Sequence, residues 1–135
     1  MAAPTLQNIL YVEDEPDIQA VTKIALESIG GFTLEVCNSG QEALDKCTNL
    51  TPDLILLDVM MPEMDGPTTM TELRKISGFE SIPVIFMTAK VQSQEIALFK
   101  SIGAIEVIAK PFDPMTLSQT VNNIWSQYHD SEKSA

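Results

Sequence analysis

Basic side chains are scarce in this sequence of 135 residues. It has 8 lysines and arginines against 19 aspartates and glutamates, and its formal net charge is −11. So large a negative excess disfavours a surface for DNA or anionic lipid. The first 22 residues contain neither lysine nor arginine, and no apolar run approaches the length of a membrane span, so neither a signal peptide nor a transmembrane helix is predicted. We therefore expect a cytoplasmic protein that contacts neither nucleic acid nor membrane directly.

Cysteine and histidine are also rare. Cys37 and Cys47 lie ten residues apart, without a CxxC motif or a nearby histidine, so we expect buried free thiols and not a metal site. The single histidine, His129, lies in the polar segment HDSEKSA, where a solvated terminal side chain is expected. We assign none of the three a catalytic role.

Short apolar runs alternate with helical patterns five times along the chain. This order favours an α/β fold, a doubly wound five-stranded parallel sheet, over a sandwich or a helical bundle. The predicted strands are 8–12, 32–37, 54–57, 82–87 and 107–109. The predicted helices are 16–29, from the Ser39 cap to about 48, 67–76, 92–102 and from 114 to about 128. We expect one domain at 7–128, with an N-terminal extension at 1–6 and a polar tail at 129–135.

The first and last helices show which sides they bury. The first has apolar residues at helical spacing, namely Ile18, Val21, Ala25 and Ile29. The last has Leu117, Val121, Ile124 and Tyr128. Trp125 lies one position off that stripe and is expected to cover the edge of the core. Asp113 followed by Pro114 predicts an N-cap and first turn for this last helix.

Four polar residues each follow an apolar run of the predicted sheet. They are Asp14, Asp58, Thr88 and Lys110. Taken singly, each has an ordinary explanation as a helix cap, a turn residue or a strand-end side chain. In an open α/β sheet, however, ligands bind beyond the carboxyl ends of the strands. Since all four arrive at that one edge, their joint occurrence predicts a functional site.

The chemistry of this set is that of phosphoryl transfer. Asp58 is the candidate nucleophile, because a carboxylate that attacks phosphorus forms an aspartyl phosphate. Nearby acidic groups would repel the incoming phosphoryl group, so a divalent cation is needed, and Mg²⁺ prefers such oxygen ligands. Asp14 and Asp58 would bind it directly and Glu13 through water, with the backbone carbonyl of Met60 as a further ligand.

Two further side chains complete the predicted apparatus. Lys110 would place a positive charge on one phosphoryl oxygen, and the Thr88 hydroxyl would donate a hydrogen bond to another. Positioning and electrostatics are most of what phosphoryl transfer requires of a protein, so no separate general base is needed.

The motifs around these residues resemble those of the receiver domain of two-component response regulators. The matching stretches are ILYVEDEP at 9–16, PDLILLDVMMPEMDG at 52–66, IPVIFMTA at 82–89, and Gly103-Ala104 leading to Lys110-Pro111-Phe112. The similarity covers about residues 7–128, and four matched motifs at compatible spacing make it highly specific.

The resemblance implies a (βα)₅ fold of the flavodoxin-like, CheY-like type. It implies that Asp58 accepts a phosphoryl group from a histidine kinase or a histidine phosphotransfer protein, with Mg²⁺ held by Glu13, Asp14 and Asp58. Thr88 would be the switch hydroxyl, and the bond between Lys110 and Pro111 would be cis. Such a protein is a phosphoacceptor that assists its own phosphorylation and dephosphorylation, and it is not an enzyme in the usual sense.

One position departs from the family pattern. The family usually has tyrosine or phenylalanine three residues before the conserved lysine, where this chain has Val107. Valine has no rotameric swing comparable to that of a ring, so the usual coupling of Thr88 to an aromatic switch is not expected here. The loop after Thr88 and the fourth helix would carry the signal instead.

The resemblance also implies an output surface for a downstream target protein. That face is formed by the fourth helix, fifth strand and fifth helix, and the chain is expected to be a monomer or a weak dimer through it. Residues near this face are Lys90, Gln94, Lys100, Glu106 and Trp125. Whether the chain is a single-domain regulator or the receiver of a longer protein stays open.

Three other functions share features with this sequence. A haloacid-dehalogenase-like phosphatase needs an acid two residues after its nucleophile, where this chain has Met60, so that class is rejected. A flavodoxin-like cofactor binder is disfavoured because Glu13, Asp14 and Glu15 would repel a flavin phosphate. A degenerate receiver that binds partners without phosphorylation remains the alternative, and Val107 is the one feature in its favour.

Overall fold

A computed structural model describes residues 5–134 and contains one parallel sheet. Its five strands are β1 (Asn8–Val12), β2 (Thr33–Cys37), β3 (Leu54–Asp58), β4 (Val84–Thr88) and β5 (Glu106–Ala109). They pair in the order β2-β1-β3-β4-β5, and every pair is parallel. The predicted doubly wound fold is therefore confirmed. Residues 1–4 of the predicted extension and residue 135 of the predicted tail lie outside the described residues.

Five helices connect or follow the strands. They are α1 (Pro16–Lys23), which continues as a π-helical turn over Ile24–Ile29, α2 (Gly40–Lys46), which ends in a 3₁₀ turn, α3 (Gly66–Arg74), α4 (Ser93–Ser101) and α5 (Leu117–Ser134). Ser39 caps α2 by accepting a hydrogen bond from the Glu42 backbone N–H at 3.0 Å, as predicted. Among the described helices, none is both long and apolar enough to cross a membrane.

The helices cover both faces of the sheet. On one face, Leu10, Val12, Leu57 and Phe86 pack with buried residues of α2, α3 and α4. On the other, Tyr11, Leu56 and Met87 pack with buried residues of α5 and of the π-helical turn that continues α1. Since both faces are covered, the strands are apolar almost throughout, and their polar residues occur where the strands end.

The buried side of α1 differs from the prediction. Val21 and Ile29 are 40% and 44% exposed, whereas Thr22 and Leu26 are fully buried. A π-helical turn inserts an extra residue into the helical repeat, and here it is closed by the bond from the Gly30 N–H to the Ala25 carbonyl at 3.2 Å. The apolar spacing read from the sequence assumes an unbroken α-helix, so its placement of Ile29 was wrong. Val21 precedes the turn and was misplaced for another reason, because the residue that this part of α1 buries is the polar Thr22.

The start of α5 was also placed too early. Asp113 does not cap the helix, which begins at Leu117. Its carboxylate instead accepts a hydrogen bond from the Met115 N–H at 2.9 Å, and its carbonyl accepts one from the Thr116 N–H at 3.1 Å. Asp113 thus organises a separate turn before the helix.

Of the C-terminal aromatic residues, Trp125 covers the core as predicted, whereas His129 departs from its prediction. Trp125 is only 6% exposed and belongs to the buried stripe of α5, so it does not contribute to an exposed output face. His129 is part of α5, and its ring centroid lies 4.2 Å from that of Trp125. The expectation of a solvated histidine in a tail was wrong, because α5 continues to Ser134. Cys37 and Cys47 are buried free thiols, as predicted.

Candidate functional site

The carboxyl ends of four strands bring the predicted site residues to one edge of the sheet. Asp58 ends β3 and lies opposite Met87 of β4, while Thr88 ends β4 opposite Ala109 of β5. Lys110 follows β5 directly, and its backbone N–H donates to the Thr88 carbonyl at 2.9 Å. The register of the parallel ladder therefore fixes the neighbours of Asp58.

Lys110 joins two buried carboxylates at this edge. Its Nζ lies 2.8 Å from Oδ1 of Asp58 and 3.2 Å from Oε1 of Glu13. Glu13 is fully buried and Asp58 is 1% exposed, whereas the Lys110 side chain is 15% exposed. A buried charge is stable only when it is paired and hydrogen-bonded. Lys110 supplies the paired charge and the hydrogen bond for both Asp58 and Glu13.

The protonation of Glu13 and of Lys110 is shifted by this environment. Burial and, to a lesser extent, the negative charge of Asp58 raise the pKa of Glu13 to about 7 against the opposing attraction of Lys110. Burial by itself lowers the pKa of Lys110, but its hydrogen bond and charge attraction to Asp58, together with Glu13, hold that pKa above its ordinary value. Lys110 is therefore firmly cationic at neutral pH.

Three carboxylates are arranged as a cation site. One oxygen each from Glu13, Asp14 and Asp58 lies within 4.8 Å of the others. Oδ1 of Asp14 and Oδ2 of Asp58 are buried and have no hydrogen-bond partner among the described residues. Unpartnered carboxylate oxygens of this kind need a cation or water, so the set fits a hard, oxygen-preferring ion such as Mg²⁺. Met60, whose carbonyl was predicted as a further ligand, has a side chain that is 64% exposed.

The Thr88 hydroxyl is turned toward its own loop. Thr88 is 1% exposed, and its Oγ1 accepts a hydrogen bond from the Lys90 backbone N–H at 3.1 Å. This short link ties the hydroxyl to the segment that leads into α4. A rotation of Thr88 toward a group on Asp58 would release the Lys90 N–H.

The surroundings of Val107 are apolar. It is half-buried, lies opposite Phe86 in the ladder, and packs against the core that includes Phe99 of α4. The rings of Phe86 and Phe99 meet edge to face with centroids 5.3 Å apart. The bond between Lys110 and Pro111 is cis.

Sequence reasoning missed two hydroxyl groups beneath the site. The Tyr11 hydroxyl lies 3.0 Å from Oγ1 of Thr22 and 3.5 Å from Oε1 of Glu13. Burial, opposed in part by the Thr22 hydrogen bond, raises the pKa of the Tyr11 phenol well above its usual value, so it stays protonated. The alternation of side chains along a strand puts Tyr11 and Glu13 on one side, and this signal was present in the sequence.

The turn after Asp58 depends on a close backbone approach. The Gly66 N–H donates to the Val59 carbonyl at 2.9 Å. A Cβ atom at Gly66 would lie 2.5 Å from the carbonyl oxygen of Asp58, which is too short for any real contact. Glycine is therefore required here for α3 to start directly over the end of β3.

Comparisons with known proteins agree with this fold. Residues 9–122 match the family model described as the response regulator receiver domain. The response regulator Rre1 of Synechocystis is 32% identical, and the match covers 97% of this chain and 56% of Rre1. MtrA of Mycolicibacterium smegmatis, a DNA-binding response regulator, is 37% identical, and the match covers 82% of this chain and 47% of MtrA. The structure of the chemotaxis response regulator CheY4 of Vibrio cholerae superposes with a TM-score of 0.81 at 29% identity, covering 89% of this chain and 99% of that one. This chain thus spans about half the length of those two curated relatives. It belongs to the response regulator receiver domain family.

Proposed function

We propose that this chain receives a phosphoryl group on Asp58 from a phosphohistidine donor, with Mg²⁺ bound by Glu13, Asp14 and Asp58. The observation that carries the proposal is the environment of Asp58. Its Oδ1 is held 2.8 Å from the Lys110 ammonium group, while its buried Oδ2 lacks a hydrogen-bond partner among the described residues. Oδ2 is thus the oxygen left for bond formation, and Oδ1 would bind the cation once Lys110 moves to the phosphoryl group.

The transfer follows from this division of the two oxygens. Oδ2 of Asp58 attacks phosphorus, the bond from phosphorus to the donor imidazole nitrogen breaks, and its electron pair stays on the imidazole. The product is a mixed anhydride on Asp58. When bound, the cation supplies positive charge that offsets the negative oxygens of the phosphoryl group. We expect the carbonyl of Met60 to be a further ligand.

Lys110 and Thr88 act on the product. The Lys110 ammonium, freed from its bond to Asp58, pairs with one phosphoryl oxygen, since a compact charge is suited to that position. The Thr88 hydroxyl gives up the Lys90 N–H and donates to a second phosphoryl oxygen. The released Lys90 amide then changes the conformation of the loop into α4, a bistable element of the kind that such switches use.

Beryllofluoride binding tests the acceptor site directly, because this anion mimics an aspartyl phosphate. Isothermal titration in the presence of Mg²⁺ should show one site on the native chain and none on Asp58→Asn. The Asp53→Asn variant is the matched control, because that carboxylate accepts hydrogen bonds from the backbone at the opposite end of β3. Equal binding by the native chain and Asp58→Asn would refute the acceptor assignment.

The alternative is a degenerate receiver, in which the Lys110–Asp58 pair is only a structural ion pair. Val107 is its single supporting observation, because it replaces the ring that usually accompanies switching. In that case the native chain would bind its target without beryllofluoride and would not bind the anion.

We place the phosphodonor on the face beside Lys110. A mostly apolar groove of about 260 Å³ lies there, lined by Asp17, Ile18, Val21, Lys110, Pro111 and Phe112. Lys110 lines this groove and also contacts Asp58, so a protein seated in it would bring its phosphohistidine to the acceptor. Val21 of α1 and Ile24, the first residue of the π-helical turn, are 40% and 56% exposed and form an apolar surface suited to a partner protein.

If the phosphodonor protein binds in this groove, a change in the groove should affect transfer from a protein donor but not from a small-molecule donor. Val21→Glu should slow transfer from a phosphorylated histidine kinase or phosphotransfer protein and leave transfer from acetyl phosphate unchanged. Ile29→Glu, on the same helix but outside the groove, is the matched control. Equal transfer rates from the protein donor to both variants would contradict the assignment.

We place the downstream target on α4, β5 and α5. Leu98 and Ile102 are 58% and 44% exposed near this face, and Lys100 is paired with Glu106 at 3.2 Å between α4 and β5. The receiver unit at 7–128 is proposed to act in the cytoplasm as a monomer or weak dimer, without direct contact with nucleic acid. The DNA binding in the name of MtrA belongs to that protein, of which this chain covers 47%.

A further inference from the structure

The buried hydroxyl of Tyr11 lies directly beneath the cation site. Tyr11 is fully buried in the middle of the core between β1 and α1, yet its hydroxyl reaches Oε1 of Glu13 at 3.5 Å. The Lys110 ammonium contacts the same oxygen at 3.2 Å. Oε1 of Glu13 is therefore shared by a movable cation and a fixed phenol.

Thr22 fixes the position of that phenol. The Thr22 hydroxyl donates to the Ile18 carbonyl at 2.8 Å and lies 3.0 Å from the Tyr11 hydroxyl. Each hydroxyl has one proton, so while Thr22 donates to Ile18, the Tyr11 proton is directed to Thr22 or to Glu13. When Thr22 turns to donate to Tyr11, the Tyr11 proton goes to Glu13. The pair can therefore supply a donor to Glu13 without any movement of the backbone.

We propose that Tyr11 is a positioning residue that holds the Glu13 carboxylate for the cation when Lys110 moves to the phosphoryl group. Once Lys110 leaves, the donors that remain to Glu13 among the described contacts are the Tyr11 hydroxyl and the Glu15 N–H, which reaches Oε2 at 3.3 Å. Of these two donors, the Tyr11 hydroxyl is the one that reaches Oε1. This inference rests on the proposed magnesium site and assigns it a supporting residue.

The expected loss of Mg²⁺ affinity can be judged from other metal sites. Removal of a hydrogen-bond partner that orients a ligand weakens metal binding roughly tenfold to a hundredfold. The contact of 3.5 Å is long, so the low end applies, and we expect about a tenfold loss of Mg²⁺ affinity in Tyr11→Phe. Phenylalanine keeps the ring in the core, so the fold should be retained.

The test measures Mg²⁺ binding by calorimetry and NMR in the full chain with beryllofluoride present, so that Lys110 is drawn from Glu13 to the phosphoryl mimic. The sequence contains two tyrosines, so a label at the ring carbon that bears the hydroxyl gives two resonances. Saturation with Mg²⁺ should shift the resonance that is absent from Tyr11→Phe. Tyr128→Phe, on α5, is the matched control and should bind Mg²⁺ with native affinity. Urea unfolding in chelator should show that Tyr11→Phe is folded.

The outcomes are distinguishable. Weaker Mg²⁺ binding in Tyr11→Phe alone, together with a shift of the Tyr11 resonance, supports the proposal. Native affinity in Tyr11→Phe, or a Tyr11 resonance that Mg²⁺ leaves unmoved, overturns it and leaves the proposed function intact. A native chain that binds no Mg²⁺ overturns both this inference and the magnesium site on which it rests.

Discussion

The Lys110 ammonium group lies 2.8 Å from Oδ1 of Asp58 and, in the same position, 3.2 Å from Oε1 of Glu13. A single cation thus stabilises two acids that the sheet has forced into a buried site. Because the same ammonium is needed by an incoming phosphoryl group, the resting ion pairs and the reaction compete for it. The charge balance at this edge of the sheet should therefore control both stability and phosphorylation.

We expect the stability of the cation-free chain to depend on pH through Glu13. Its pKa is raised from 4.5 to about 7 in the folded chain. Between these values the folded chain binds more protons than the unfolded chain, so the free energy of unfolding should fall as the pH rises from about 4.5 to about 7. Glu13 is fully buried, and its contribution is on the order of 2–3 kcal/mol.

The measurement is urea unfolding across this pH range in chelator. Glu13→Gln, which cannot titrate, should remove the decrease, and saturating Mg²⁺ should oppose it by favouring the charged carboxylate. A native chain whose stability is flat, or rises in parallel with that of Glu13→Gln over this range, would show that Glu13 is not the group responsible.

We expect Thr88 to report phosphorylation through the Lys90 amide. In the native chain, beryllofluoride with Mg²⁺ should shift the Lys90 amide resonance, because its hydrogen bond of 3.1 Å to Thr88 is released. Thr88→Ala lacks the acceptor, so its Lys90 amide should be displaced before beryllofluoride is added and change little afterwards. Thr88→Ser should behave as the native chain does. An unmoved Lys90 amide in the saturated native chain would count against this switch.

We expect Gly66→Ala to damage the site as well as the fold. The added Cβ would lie 2.5 Å from the Asp58 carbonyl oxygen, so the backbone must shift, at a cost of roughly 1–3 kcal/mol in urea unfolding. Beryllofluoride affinity should fall with it. Gly31→Ala is the control, because a Cβ at Gly31 would meet no neighbouring atom although the φ of +77° disfavours alanine. This variant should lose stability but keep its affinity for beryllofluoride. Equal beryllofluoride affinities in the two variants would show that Gly66 does not affect the acceptor site.

Much of the fold was predictable because its signals are local. β-branched and leucine-rich runs that end in polar residues identify buried parallel strands, and the observed β1 has the predicted bounds. Ser39 was recognisable as a cap from its own sequence context. The errors have a different origin. Ile29 was misplaced by a π-helical turn, and Val21 because α1 buries the polar Thr22 beside it. The start of α5 was misplaced because Asp113 forms a separate turn.

The functional site also has features that the sequence predicts and features that it does not. Order along the chain indicated that Asp58, Thr88 and Lys110 would meet, because strand ends of a parallel sheet share an edge. Alternation along β1 indicates that Tyr11 and Glu13 share a side, but the full burial of Glu13 and its shared contact with Lys110 could not be read from spacing. Those features depend on how α1 packs over β1, which is a property of the assembled core.

Phosphorylation of Asp58 is tested most directly by intact mass after incubation with acetyl phosphate and Mg²⁺. We expect a single added phosphoryl group on the native chain, and none on Asp58→Asn or in the presence of chelator. Beryllofluoride binding, measured on the same samples, separates rapid hydrolysis from a site that cannot form the adduct. A native chain that gains no phosphoryl group and binds no beryllofluoride, or an Asp58→Asn variant that gains one as readily, would contradict the account.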